Sequence, residues 1–262
     1  MDFKHILFRK TDCVAFITLN NPEKKNPVGN EVKRELIQAF DICDYDDNIR
    51  AITIRGAGGC FSAGGDMKAM KERIERGELG TRINCRLAGE LITRIRNIRK
   101  PTIACVEGAA AGAGMCLLMS CDFQIVAEDT KMVFSFVNIG YIPDSGATYL
   151  VTRAVGTARA TELLMSGKCF SGKEAAEWGL ITEAVPHEKL DERLNYYLYK
   201  YANGPTAAYG RIKSMINSSQ FARMNDGIQN EIFYQGECEE TEDHKRAVIA
   251  FFEKRKPNFI GK

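Results

Sequence analysis

Two short stretches near the start of the chain are apolar at almost every position and are bounded by turn residues. They read VAFITLN at 14–20 and AITIRG at 51–56, and such β-branched runs are typical of buried strands. The segment between them, residues 31–46, repeats apolar side chains at helical spacing. The repeating positions are Val32, Leu36, Ile37, Phe40 and Cys43. The pattern predicts strand, helix and strand, with Asn30 capping the helix.

The same alternation continues along the chain. Residues 82–98 predict a second helix and 99–108 a strand, a third helix starts from about Gly112, and FQIVAED at 123–129 predicts another strand. Strands that alternate with helices are typical of parallel sheets with right-handed crossovers. The predicted fold class is therefore α/β.

From about residue 157 onward the pattern turns helical. Helical stretches cover 157–167, 171–179, 190–202, 205–219 and 243–256. Short breaks near Pro186, Gly204 and Ser218 separate several of them. We expect a core of about residues 1–200 and a helical C-terminal segment over 201–262.

The composition is that of a soluble globular protein, with 45% hydrophobic and 27% charged residues. The formal net charge of +2 does not favour a nucleic-acid surface built on bulk charge. No apolar run approaches the roughly 20 residues of a membrane span. The first residues carry charge within their short apolar run, unlike a signal peptide. We expect a cytoplasmic protein that binds neither membrane nor nucleic acid.

Cysteine and histidine usage add two expectations. The nine cysteines have no regular spacing and no CxxC pair, which favours a reducing compartment. The three histidines, His5, His187 and His244, are scattered along the chain, so we expect no metal site.

Two glycine-rich loops that follow predicted strands are the first candidates for chemistry. They read GAGGCFSAGGDMKAM at 56–70 and VEGAAAGAGM at 106–115. Where a glycine turn leads into a helix, unpaired backbone N–H groups face whatever lies over the turn. Two such loops can aim N–H groups at one carbonyl oxygen and stabilise the negative charge that develops on it.

Two other interpretations of the second loop stay open on the residues alone. A dinucleotide-binding turn would make Glu128 a ribose contact, but Leu117 stands where the third glycine of that motif belongs. Close packing of a helix through small residues is the structural alternative.

Together, the two loops resemble the signature segments of the crotonase (enoyl-CoA hydratase/isomerase) superfamily. The resemblance extends from NNPEKKNPVGNEV at 20–32 through residues 152–186 to the final FFEKRKPNFIGK, so it covers nearly the whole chain. Within the superfamily, FSFVNIGYIPDSGAT at 134–148 most resembles the ring epoxyphenylacetyl-CoA isomerase group, which also has Δ3,Δ2-enoyl-CoA isomerase activity.

The resemblance implies a crotonase-like core of ββα turns wound in a spiral. Its C-terminal helices would assemble a homotrimer or a dimer of trimers. It also implies acyl-CoA thioester substrates of fatty acid or aromatic acid metabolism. Coenzyme A enters as part of the substrate, and no other cofactor is expected.

The resemblance also implies which residues bind the substrate. The thioester oxygen is held by the backbone N–H groups of Gly65 and Ala113, where Ala113 replaces a frequent glycine. By the same resemblance, the coenzyme A channel is lined by Ala63, Asp66 and Met67. Lys25 is expected to lie near the adenine. A solvated turn is the structural alternative for Lys25.

The chain departs from the hydratases of this superfamily at two positions. Hydratases hold a water molecule between two glutamates, and the corresponding residues here are Cys116 and Phe136. Because two acceptors are needed to position that water, an ordinary hydratase is not expected. We place both residues among those that contact the substrate, although a cysteine in an apolar helix is also typical of a core.

Asp144, in the sequence IPDSG, offers a replacement acid. The resemblance implies that it lies over the reacting carbons of the substrate. Moving a double bond requires one base that removes a proton at C4 and returns it at C2, so one carboxylate suffices. Apolar neighbours such as Phe136 and Ile142 would disfavour its charged form. The structural alternative is a turn aspartate that caps a helix beginning near Ser145.

Three further residues near these loops are interpreted as structural. Asp122 is expected to pair with backbone or an arginine, Glu107 ends a strand, and Trp178 is expected to pack in the core.

Several rival functions stay open. An aryl-CoA dehalogenase uses an aspartate nucleophile here but needs a histidine, and none occurs between His5 and His187. An atypical enoyl-CoA or cyclic dienoyl-CoA hydratase is a second rival, and a dihydroxynaphthoyl-CoA synthase or ring hydrolase is a third. A protein of this fold that binds RNA or a protein partner is the non-enzymatic alternative. Straight-chain, cyclic-diene and aryl-epoxide acyl groups are all compatible with the sequence.

Overall fold

The computed structural model describes residues 3–262, and in that range nine strands form two sheets. The strands are β1 (Ile6–Thr11), β2 (Val14–Leu19), β3 (Ala51–Gly56), β4 (Thr102–Val106), β5 (Ala109–Ala111), β6 (Phe123–Ala127), β7 (Lys131–Val133), β8 (Cys169–Ser171) and β9 (Glu183–Val185). The larger sheet has the order β1-β2-β3-β4-β6-β9, and the smaller sheet has the order β5-β7-β8.

Ten α-helices surround the sheets within the described residues. They are α1 (Asn30–Tyr45), α2 (Met67–Arg76), α3 (Thr81–Asn97), α4 (Ala113–Ser120), α5 (Ala147–Ser166), α6 (Gly172–Glu177), α7 (Leu190–Ala202), α8 (Thr206–Gln220), α9 (Met224–Glu240) and α10 (Glu242–Phe252). The predicted α/β class is confirmed.

Most neighbouring strands of the larger sheet run parallel. Only β1 and β2 pair antiparallel, whereas β2–β3, β3–β4, β4–β6 and β6–β9 are parallel. Because parallel strands end at the same edge of a sheet, the loops that follow β3 and β4 emerge side by side. These are the two glycine-rich loops.

The central strands are buried on both faces, as parallel strands usually are. Along β4, Ile103 and Cys105 pack with α7, while Ala104 and Val106 face the main core. Helix α7 meets the sheet through residues four apart, which are Leu190, Leu194, Leu198 and Ala202. Buried side chains alternate between the two faces along the strand and recur every four residues along the helix. These repeats explain why both elements could be predicted from the sequence.

Three helices, α1, α5 and α9, differ from the sequence-based expectation. Asn30 is the first residue of α1, and Gly29 occupies the capping position. Helix α5 already begins at Ala147, and Gly156, with φ of 74°, interrupts it just before the predicted start at residue 157. Helix α9, over Met224–Glu240, was not predicted.

Within residues 3–262, none of the helices combines the length and the apolar character needed to cross a membrane. Nor does that range bring together three or more His, Cys, Asp or Glu side chains in an arrangement that could hold a metal ion.

Candidate active site

The two glycine-rich loops are joined by backbone hydrogen bonds. Phe61 N–H donates to Glu107 O at 3.0 Å, and Ser62 N–H donates to Ala109 O at 3.0 Å. Ser62 O in turn accepts from Ala111 N–H at 3.0 Å. The loop after β3 therefore runs alongside β5 like an added parallel strand, which fixes the positions of the residues that follow.

Gly64 and Gly112 mark the closest approach of the two loops. A Cβ at Gly64 would lie 2.8 Å from Ala111 O and 3.7 Å from Ala113 N, and φ at Gly64 is +98°. At Gly112 φ is +45° and ψ is −116°, a conformation that residues with a side chain rarely adopt. These two glycines place Gly65 and Ala113, which follow them, on the same cavity.

The N–H groups of Gly65 and Ala113 donate no hydrogen bond to any acceptor within residues 3–262. Ala113 is the first residue of α4, where an N–H has no partner inside the helix. The helix end also carries a partial positive charge. Two free donors on one cavity are suited to hold an oxygen that gains negative charge during a reaction.

The cavity has a volume of about 830 Å³ and contains most of the predicted site residues. The predicted residues that line it are Gly65, Ala113, Asp144, Ala63, Asp66, Met67 and Phe136. Its exposed rim is cationic, since Lys24, Lys254, Arg255 and Lys256 line it as well. Such a rim is suited to phosphate groups.

Three predicted site residues do not line the cavity. Lys25 is an exposed turn residue whose carbonyl accepts from Ala63 N–H at 2.7 Å. Ile142 lies on the Asp144 loop, half-buried, and its side chain stays outside the lining. Cys116 is fully buried, with its thiol 3.5 Å from Asp144 O. Burial and the charge of Asp144 raise the pKa of this thiol well above its usual value, so it stays protonated and unreactive.

The Asp144 carboxylate is 6% exposed and is held by two donors. The Ser145 hydroxyl donates to Oδ1 at 2.6 Å, and the Cys85 thiol donates to Oδ2 at 3.4 Å. Ser145 has φ of 60°, a strained conformation that is common where a loop is shaped for function. The carboxylate makes no capping bond to α5, whose cap is Gly146, so the interpretation as a helix cap is wrong.

Two polar side chains of α9 hold the segments around Asp144. Glu231 accepts from Gly146 N–H at 2.7 Å and from Thr148 N–H at 3.1 Å, at the start of α5. Gln235 accepts from Ile142 N–H at 2.9 Å. We call this row, completed by Glu239, the polar face of α9.

Glu239, the third member of the polar face, binds a different helix. It accepts from Gly80 N–H at 3.1 Å and from Thr81 N–H at 3.0 Å, at the start of α3. The three side chains are spaced four residues apart, so they lie along one side of α9. Helix α9 therefore satisfies free N–H groups at the starts of α3 and α5. It also holds the loop that carries Asp144.

Burial changes the pKa of Glu231. Desolvation raises the pKa of Glu231 to about 7, and the nearby charge of Asp144 pushes in the same direction. The hydrogen bonds from Gly146 and Thr148 oppose this shift, since they favour the ionised form at a helix N-terminus.

A buried lysine also lines the cavity, and the sequence analysis did not identify it. Lys33 is 3% exposed and lies on the apolar face of α1. Lys33 precedes Leu36, Ile37 and Phe40 by three, four and seven residues. Side chains with this spacing lie on one face of a helix. A lysine inside that stripe is the signal that could have identified it.

The three residues interpreted as structural lie away from the cavity. Asp122 accepts from Thr102 N–H at 2.9 Å and pairs with Lys213 at 2.8 Å and with Arg96 at 3.6 Å. Glu107 pairs with Arg55 at 3.0 Å. Trp178 packs against Phe170, with ring centroids 5.3 Å apart.

Comparison with known proteins identifies a family and several similar chains. The model of the enoyl-CoA hydratase/isomerase family matches residues 9–262. A 1,2-epoxyphenylacetyl-CoA isomerase of Escherichia coli is 35% identical over 95% of each chain. A trans-2-decenoyl-[acyl-carrier-protein] isomerase of Streptococcus mutans is 33% identical over 100% of each chain.

A solved structure gives the same result for the fold. The enoyl-CoA hydratase of Mycobacterium avium subsp. paratuberculosis superposes with a TM-score of 0.90 at 25% identity, covering 99% of this chain and 100% of that chain. The predicted crotonase-like fold is confirmed.

Proposed function

Because the chain belongs to the enoyl-CoA hydratase/isomerase family, we propose that it is an acyl-CoA isomerase that shifts a double bond along the acyl chain. Isomerisation of a ring epoxide is an alternative form of the same chemistry. One observation carries the proposal. Asp144 is the one buried acid among the described residues that line the cavity, and the hydratase glutamate positions hold Cys116 and Phe136.

In the proposed mechanism the thioester oxygen accepts hydrogen bonds from the N–H groups of Gly65 and Ala113. These bonds strengthen as the oxygen gains charge, which lowers the barrier to an enolate-like intermediate. Asp144 removes the proton at one end of the three-carbon unit and returns it at the other. The electron pairs stay within the substrate, so the step needs no flavin or nicotinamide as an oxidant or reductant, and the proposal includes no metal.

The surroundings of Asp144 suit a shuttle that must both take and release a proton. Asp144 and Phe136 are both buried on this cavity, and the Ser145 and Cys85 donors stabilise the carboxylate. A hydratase instead needs a second acid to hold its water molecule, and among residues 3–262 none of the other acids that line the cavity is buried.

The cationic rim supports coenzyme A as the carrier. Lys24, Lys254, Arg255 and Lys256 offer positive charge for its phosphate groups. An acyl carrier protein is the second candidate, favoured by the relative from Streptococcus mutans. Turnover of the same acyl group on both carriers distinguishes them, since the proposal expects the higher kcat/KM with coenzyme A.

The C-terminal helices support the proposal of a homotrimer or a dimer of trimers. Large apolar side chains are exposed on α8, α9 and α10 and after them, including Met215, Phe233, Phe251 and Phe259. Exposed apolar patches of this kind are typical of interfaces. Light scattering coupled to size-exclusion chromatography gives the mass and tests the number of subunits.

The variant Asp144→Asn tests the proposed chemistry. It keeps the size of the side chain and removes the base, so kcat should fall by a factor of about 100 or more. Binding of acyl-CoA esters, measured by calorimetry, should persist, because the N–H groups and the rim are unchanged. Turnover equal to that of the wild type would contradict the role of Asp144.

A further inference from the structure

Lys33 is one of three buried lysines within residues 3–262, and it differs from the other two in what surrounds it. Lys213 donates to Asp122 Oδ2 at 2.8 Å and to Ile95 O at 2.9 Å. Lys100 donates to Cys43 O at 2.5 Å and to Asp46 O at 2.7 Å. Both are outside the lining of the cavity, and their acceptors account for their burial.

The ammonium group of Lys33 has fewer partners. Its Nζ donates to Asn84 Oδ1, and the second contact, to Asn84 O, is at the 3.5 Å limit of a hydrogen bond. Within the described residues no carboxylate lies within 4.0 Å of this nitrogen. Since an ammonium has three hydrogens to donate, Lys33 retains donor capacity, and it lines the cavity.

Lys33 and Asp144 both line the cavity and are bonded to consecutive residues of α3. Lys33 donates to Asn84, and the thiol of Cys85 donates to Asp144. Burial lowers the pKa of Lys33, and the Asp144 carboxylate is the largest of the charges that oppose this shift. Arg73, the other cation near it, lowers the pKa further. The exposed cations Lys254 and Lys256 lie on the rim instead, so Lys33 is suited to the acyl group and not to the phosphates.

We propose that Lys33 binds an oxygen on the acyl group, and that the substrates are thioesters whose acyl chain carries a hydroxyl, carbonyl or carboxylate oxygen. This inference rests on the proposed function, because it takes the cavity as the acyl-thioester site. A hydrocarbon chain that filled the cavity would leave the spare donor capacity of this buried ammonium group unused, which is costly. An acceptor oxygen would satisfy it and fix the position of the chain beside Asp144.

A structural tether between α1 and α3 through Asn84 is the competing explanation. Burial of a charge usually costs more than burial of an apolar side chain of similar size. A tether alone is therefore a poor reason for a lysine on the apolar face of α1. Under the proposal, Lys33→Met should leave the thermal unfolding midpoint unchanged or raise it.

The test measures, by calorimetry, the binding of three matched thioesters that do not react. Hexanoyl-CoA is compared with its ω-hydroxy and ω-carboxy derivatives, on the wild type and on Lys33→Met. The wild type should bind an oxygenated ester about 10- to 100-fold more tightly, since a hydrogen bond to a charged group has this effect. Lys33→Met should lose that preference.

Three results would overturn the inference. They are a wild type without the preference, a Lys33→Met protein that keeps it, and a Lys33→Met protein whose unfolding midpoint is clearly lower, which would favour the structural tether. The wild-type comparison is decisive even if the variant does not fold. A Lys33-dependent preference without isomerase activity would contradict the proposed chemistry but not the role of Lys33, whereas no thioester binding would overturn both.

Discussion

The wall of the cavity that carries Gly65 and Ala113 is made of main chain, whereas the wall that carries Asp144 depends on side chains of α9. On the first wall, backbone bonds between Ser62 and β5 set the geometry, and the glycines at 64 and 112 allow the loops to touch. On the second wall, Glu231 and Gln235 fix the loop from a distant part of the sequence.

The difference determines what each wall tolerates. A main-chain donor does not depend on its own side chain, which explains why Ala113 can stand where glycine is frequent. The Asp144 loop has no such independence, because its backbone groups are satisfied by α9. Changes far from residue 144 should therefore alter the chemistry at that residue.

The variant Ala113→Pro removes a donor from the main-chain wall and has the largest expected effect. Proline is tolerated at the first position of a helix, where the N–H has no helical partner. The fold of α4 should persist while kcat falls by a factor of about 100 to 1,000, the typical cost of one oxyanion donor. Steady-state kinetics and circular dichroism measure the two quantities.

Ala113→Gly is the matched control, because it changes the side chain and keeps the donor. Its kcat should stay close to that of the wild type. If Ala113→Pro retained full activity, the N–H of residue 113 would not bind the reacting oxygen.

The variant Glu231→Gln loosens the other wall. An amide has one acceptor oxygen where the carboxylate has two, so one of the bonds to Gly146 and Thr148 is lost. Stability should fall by about 1–3 kcal/mol, and kcat by at least about 10-fold as Asp144 shifts. Urea denaturation and steady-state kinetics measure both changes.

Glu239→Gln provides the comparison for Glu231→Gln. It weakens the cap of α3 by a similar change on the same helix but leaves the loop that carries Asp144 bonded. We expect similar destabilisation with a smaller loss of kcat. Equal losses of kcat in both variants would mean that α9 acts only through overall stability.

The pH dependence of stability is the most specific test, because it depends on the acidity of one side chain. The pKa of Glu231 is raised to about 7 in the folded protein, above its usual value in an unfolded chain. The protonated acid therefore stabilises the fold below about pH 4.5, and this contribution is lost as the pH rises through about 7. Its full size is at most about 3 kcal/mol.

The difference in unfolding free energy between the wild type and Glu231→Gln isolates this contribution. It removes the effect of other groups such as His244, whose pKa is lowered by burial. The advantage of the wild type should decrease between about pH 4.5 and 7. A difference that did not change with pH would mean that Glu231 keeps an ordinary pKa.

The loops of the main-chain wall could be predicted from the sequence. The wall that carries Asp144 could be predicted only in part. Loops 56–70 and 106–115 carry glycines at sharp turns directly after apolar strands, a local pattern that needs no tertiary information. Asp144 was predicted through its motif, and the structure places it in the cavity. Its hydrogen-bond partners Cys85 and Ser145 were not predicted, since the thiol comes from another helix.

Helix α9 was missed for a physical reason. Periodic patterns identify a helix when its buried face is apolar. The buried residues of α9 mix Met224, Ile228 and Ile232 with the charged and polar Glu231, Gln235 and Glu239, while Phe233 and Tyr234 are exposed. Its buried polar residues are stable there only because they meet N–H groups of other helices, and sequence alone does not show those partners.

The polar face of α9 limits how the loop that carries Asp144 can be exchanged between relatives. Residues 140–149 moved alone into another scaffold would lose the acceptors for the N–H groups of Ile142, Gly146 and Thr148. Unpaired buried donors of this kind cost about 1–3 kcal/mol each, which is a large part of a typical stability. Loop and helix therefore form one transplantable module, although some 80 residues of chain lie between Gly146 and Glu231.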